Sequence, residues 1–147
     1  MFALSEYIID EEIHENNRIR VLRGRRAQDG SPVIIKALKG EASGPSAISR
    51  LVYEYEISRS LNVKGIIKPS RLEQERMIFV LIMENIGAIS LRQYMLNRKV
   101  SPEDFLDIAI QLAEIPGDIH QQGVIHRGRL FFYLYLHKNG FMLIYNR

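Results

Sequence analysis

The feature that most restricts how this chain can fold is a lysine at the end of an unbroken apolar run, Val33-Ile34-Ile35-Lys36. The run lies between the turn pair Asp29-Gly30 and the small, turn-rich stretch Gly40 to Pro45, so it reads as a buried strand. A charge carried into such a strand needs a partner or an escape to water. Eighteen residues further on, Glu54 falls in a helix predicted over Ala47 to Leu61, one face of which carries Ala47, Leu51, Glu54, Ser58 and Leu61. A strand lysine that meets a helix carboxylate satisfies both charges. The alternative has Lys36 snorkelling from a strand edge and Glu54 joining Glu56 on a solvated face, the commoner arrangement for either residue taken singly.

The neighbouring residues supply a sheet for that strand. Tyr7 to Ile13 and Arg18 to Val21 alternate with period two, and with Pro32 to Leu38 they predict a three-stranded antiparallel meander. Ile66 to Leu72 and Met77 to Met83 predict two more strands joined by a polar turn, Glu73 to Arg76. After Met83 the period becomes helical. Ser90 and Gln93 form a capping box for a short helix over Leu91 to Asn97, and Ser101-Pro102-Glu103-Asp104 is an N-cap with proline in the first turn. The longer helix that begins there is expected to bury Phe105, Ile108, Ala109, Leu112 and Ile119 and to kink or split near Ile115, because Pro116-Gly117 lies inside it. The fold class predicted is α+β: a five-stranded antiparallel sheet with one packed helix, then helices.

Composition narrows the function classes. With no cysteine there is no disulfide, thiolate metal site or cysteine nucleophile. No run of eighteen apolar residues and no apolar leader after Met1 occur, so the expectation is a cytoplasmic protein without a membrane span. Twenty basic residues against seventeen acidic leave only +3, which does not argue for nucleic acid. Arg18, Arg20, Arg23, Arg25 and Arg26 read as a solvent-facing strand, and the four histidines show no close metal spacing.

The order and spacing of these pieces resemble the protein kinase family from about Tyr7 to Arg127. Val21 stands fifteen residues before Lys36, as the family's adenine-roofing valine stands before its Val-Ala-Ile-Lys lysine, and Glu54 to Leu61 is similar to its αC segment. Leu81-Ile82-Met83-Glu84-Asn85-Ile86-Gly87 resembles the fifth strand and hinge, with Met83 at the gatekeeper. Ser90-Leu91 resembles the start of αD, and His120 to Arg127 resembles the end of αE and the opening of the catalytic loop. Within the family, the lack of glycines before Val21 and the phrase Glu54 to Leu61 are most similar to kinase domains heading bacterial multi-sensor proteins. The resemblance implies a kinase-like N-lobe and hinge over 1–87, a partial C-lobe with αD and αE over 88–127, and an unmatched apolar tail over 128–147. It implies serine/threonine kinase descent and weak ATP binding through Val21, Ile34, Lys36, Glu54, Met83, Glu84 and Ile86.

The departures imply loss of activity. His14 to Ile19 replaces the glycine-rich loop, Gly128 stands where the catalytic aspartate belongs, and Tyr133 and Asn146 stand where magnesium ligands belong. The expectation is a truncated, non-transferring domain without a magnesium site, its tail produced by a reading-frame shift, and its partners a remaining kinase lobe or sensor domains on a neighbouring polypeptide. The alternative is a non-catalytic interaction or regulatory module built on the N-lobe. Leu130 to Leu136, seven apolar residues in a row, is expected to be an unprotected strand through which the chain associates with itself.

Overall fold

The computed structural model describes residues 4–40, 44–75, 77–87, 89–124, 134–137 and 140–143. They form an α+β arrangement in two compact units, one of residues 1–59 with 68–86 and one of residues 60–67 with 87–147.

The first unit is an antiparallel sheet of β1 (Tyr7–Glu15), β2 (Ile19–Arg26), β3 (Pro32–Leu38), β4 (Pro69–Glu75) and β5 (Ile78–Glu84), in the order β1-β2-β3-β5-β4, with helix α1 (Pro45–Ser60). The first three strands are the predicted meander. β3 is central and buried on both faces, which is why its residues read as a continuous apolar run rather than an alternation. One face gathers Leu22, Val33, Ile35, Ala37, Val80 and Ile82 with Leu4 and Tyr7 into a core. The opposite face carries Val21, Ile34, Lys36, Leu81 and Met83. Gly24 allows β1 to lie close to β2, since a Cβ there would stand 2.4 Å from the Ile8 carbonyl oxygen.

Several strand boundaries differ from the sequence reading: β1 runs on to Glu15 rather than Ile13, β2 to Arg26 rather than Val21, and β5 spans Ile78–Glu84 rather than Met77 to Met83. β4 begins at Pro69, not Ile66, and it runs through Glu75, so Glu73 to Glu75 is strand rather than turn. Their carboxylates explain the extension: Glu73 accepts from the Tyr7 hydroxyl and Glu75 from the Ser5 amide, while Glu73, Gln74 and Glu75 pair with Val80, Phe79 and Ile78. A polar sequence here marks a strand whose carboxylates bond Tyr7 and Ser5, not a turn.

The second unit contains β6 (Ile89–Ser90), α2 (Leu91–Asn97), α3 (Pro102–Gln121), β7 (Leu134–His137) and β8 (Gly140–Leu143). The predicted cap of α3 is present, with the Asp104 amide donating to Ser101 Oγ at 3.0 Å. The Ser90 side chain of the expected capping box lies outside what is described. α3 is not split at Pro116: it continues to Gln121 and buries Ile108, Ile115 and Ile119, so apolar burial on both sides of the proline offsets the lost hydrogen bond. Phe105 is 57% exposed, and the buried stripe passes through Ile115 instead. The Gln122 side chain accepts from the Asn62 amide at 3.0 Å and donates to the Asn62 carbonyl at 3.1 Å, tying 60–67 to the end of α3.

The apolar segment after Gly128 is also not an unprotected edge where it is described. β7 is the middle strand of a three-stranded sheet, pairing Leu136 with Ile89 and Phe141, and Tyr135 with Ser90 and Met142. Residues 130–133 lie outside the described residues. No helix among the described residues is long and apolar enough to cross a membrane.

Candidate functional site

The site is built on the sheet face that carries Lys36. Antiparallel register sets Val21, Lys36 and Leu81 in one row across β2, β3 and β5, and Arg23, Ile34 and Met83 in the next. Residues directly opposite in register share a face, so Val21, Ile34, Lys36 and Met83 are neighbours on one surface. Helix α1 brings Glu54 to it. Lys36 Nζ donates to Glu54 Oε1 and Oε2 at 2.7 Å each, with the side chains 2% and 3% exposed. Burial pushes the Glu54 carboxyl above the usual carboxylate range, and the adjacent ammonium opposes that rise. The pair fixes a cation against an apolar wall of Val21, Ile34, Leu81 and Met83, all buried.

At the end of β5 the chain leaves the sheet. Glu84 is exposed and Ile86 half-buried, and the Asn85 amide donates to the Pro32 carbonyl at 3.2 Å. Gly87 follows with φ of 71°, a conformation that favours glycine.

The turn between β1 and β2 is closed on itself. Asn16 Oδ1 accepts from the amides of Arg18 at 2.8 Å and Ile19 at 3.0 Å, and the Asn16 amide donates to the Ile19 carbonyl at 3.1 Å. Sequence reasoning passed over Asn16, although Asn16-Asn17 is a turn signal whose side chains bond backbone amides two residues on. Beside the turn, Glu15 is paired with Lys39 Nζ at 2.7 Å and Arg20 Nε at 2.8 Å, which holds its carboxyl down to about 2.

The arginine-rich strand is neutralised across β1 and β2. Arg20 pairs with Glu12 and Glu15, Arg23 with Glu11, Arg25 with Asp10, and Arg26 with Asp29 beyond the strand. Each of Arg20, Arg23, Arg25 and Arg26 thus faces a carboxylate.

Gly128, Tyr133 and Asn146, with His126 and Arg127, lie outside the described residues. Among the described residues no three His, Cys, Asp or Glu side chains are placed to hold a metal ion.

A family profile described as protein tyrosine and serine/threonine kinase matches residues 8–129. Two Arabidopsis thaliana proteins, MAP3K epsilon protein kinase 1 and MAP3K epsilon protein kinase 2, are each 25% identical over 126 residues, covering 84% of this chain. The match spans 9% of the length of either relative.

Proposed function

This chain belongs to the protein tyrosine and serine/threonine kinase family, and from that premise we propose a nucleotide-lobe module of serine/threonine kinase descent that holds the adenosine part of ATP weakly and does not transfer phosphate by itself. The observation that carries the reading is the Lys36–Glu54 pair on the same face as Val21, Ile34 and Met83. In this reading Val21, Ile34 and Met83 would line a slot for a planar base, and the segment Glu84 to Ile86 would offer it backbone donors and acceptors.

Magnesium does not fit the residues present. The family holds the metal with an aspartate and an asparagine and takes the substrate proton on another aspartate, where this sequence has Asn146, Tyr133 and Gly128. Asparagine brings no charge to a metal, and glycine accepts no proton. Transfer would need carboxylates from another polypeptide, which is the partner this reading implies, in the cytoplasm where ATP is supplied.

A second reading, an interaction module that binds no nucleotide, is favoured by the glycine-free turn closed by Asn16. Incubating the full chain with labelled ATP, magnesium and a generic protein substrate tests the first. Labelling no higher than that of a Lys36→Arg variant is expected, and magnesium-dependent labelling above that control would overturn it.

A further inference from the structure

We propose that Asn16 is a built-in competitor for phosphate, its side-chain oxygen occupying the Arg18 and Ile19 amides so that the site takes an uncharged nucleoside in preference to a nucleoside triphosphate. The inference rests on the kinase-derived reading for the location of the site. Backbone amides at a turn hold phosphate through charge-assisted hydrogen bonds, and they must point outward and be unclaimed to do so. Here both amides point at Oδ1 of Asn16, at 2.8 and 3.0 Å, and the Asn16 amide is itself spent on the Ile19 carbonyl. A carboxamide oxygen is already in the position a phosphate oxygen would need.

The surroundings reinforce the exclusion. Glu15 precedes the turn as a carboxylate that stays ionised at working pH, and Lys39 and Arg20 are both drawn to it. An incoming phosphate would meet an anion whose nearby cations are engaged. Residues 14–19 contain no glycine, so the backbone has no ready route to a second, open conformation.

Amide-resolved NMR of the full chain tests this without relying on nucleotide binding. In the unsubstituted protein the Arg18 and Ile19 amides should exchange slowly, and tripolyphosphate should leave their shifts unchanged. In Asn16→Gly both amides should lose protection at least tenfold and shift on tripolyphosphate addition. Asn16→Asp, which keeps an acceptor, should restore protection. Parallel titrations should give tighter binding of adenosine than of magnesium-free ATP in the unsubstituted protein, and a tenfold gain for ATP alone in Asn16→Gly. Unprotected amides in the unsubstituted chain, or tripolyphosphate shifts there, would overturn the proposal whether or not the variants fold. A folded Asn16→Gly blind to tripolyphosphate would do the same. Failure of adenosine to bind would instead sink the nucleotide reading while leaving the tripolyphosphate arm to judge Asn16.

Discussion

Lys36 Nζ lies 2.7 Å from each carboxylate oxygen of Glu54, in a pair almost wholly excluded from water. Removing one partner strands a charge in an apolar interior, so Lys36→Met should destabilise the protein by about 3–5 kcal/mol, while Lys36→Met with Glu54→Leu should lose far less. Urea unfolding measures both. The single variant also carries a pH signature. Burial raises the Glu54 carboxyl in the folded state, so its relative stability is present below the unfolded carboxyl value and falls as pH rises through the folded value. Lys36→Met should accordingly lose less stability near pH 4 than at pH 7, and equal loss at both would contradict the burial argument.

Nucleotide binding should be insensitive to magnesium. Val21, Ile34 and Met83 share one face of the sheet, whereas under the proposed reading Tyr133 and Asn146 take the places of metal ligands. In thermal-shift titrations ATP with magnesium should stabilise the full chain no more than ATP alone. A clear magnesium-dependent gain would show a phosphate and metal site intact.

Tyr7 gives the sheet an alkaline limit. Its ring is buried and its hydroxyl donates to Glu73, so burial first and the carboxylate second push its ionisation up to about 12. Because the folded value lies above the ordinary 10, the stabilisation is complete below pH 10 and is lost as pH rises from 10 toward 12. Tyr7→Phe should cost about 1.5–3 kcal/mol at pH 7 through the lost hydrogen bond to a charged acceptor. Its deficit should shrink across that alkaline window, read by denaturant midpoints at pH 7, 10 and 11.5.

The two ends of α3 should respond unequally to truncation of their side chains. Ile119 is fully buried, and Ile119→Ala should cost about 2–5 kcal/mol. Phe105 is 57% exposed, and Phe105→Ala should stay within about 0.5 kcal/mol of the unsubstituted chain. Helical circular dichroism followed through thermal unfolding separates the two.

The contrast shows what periodicity can deliver. The meander, α1 and the meeting of Lys36 with Glu54 were legible because strand alternation and a charged residue in each apolar stripe leave few arrangements. The face of α3 was not. Phe105 and Ile115 are both apolar, and only tertiary packing decides which is covered. Pro116 misled in the same way, since propensity registers its lost hydrogen bond and not the burial of Ile115 and Ile119 around it. Glu73 to Glu75 looked like a turn because Tyr7 and Ser5, their partners, lie near the start of the chain. β7 looked exposed because its flanking strands include Ile89–Ser90, too short to register as a strand in sequence.

The paired hydrogen bonds between Asn62 and Gln122 bear on the order in which the chain can assemble. The chain passes between its two units after residues 59, 67 and 86, so neither is a continuous stretch of sequence. During synthesis residues 60–67 emerge well before α3, and their tie to Gln122 spans 60 positions. Closing a loop of that length costs on the order of 3–4 kcal/mol in chain entropy, against a fraction of that for the β1–β2 hairpin. The sheet around Lys36 can therefore form while the ribosome is still adding residues, whereas the Asn62 tie must wait for the end of α3. In that interval the stretch that holds the buried side chains Leu61, Val63, Ile66 and Ile67 lacks its hydrogen-bonded anchor at Gln122.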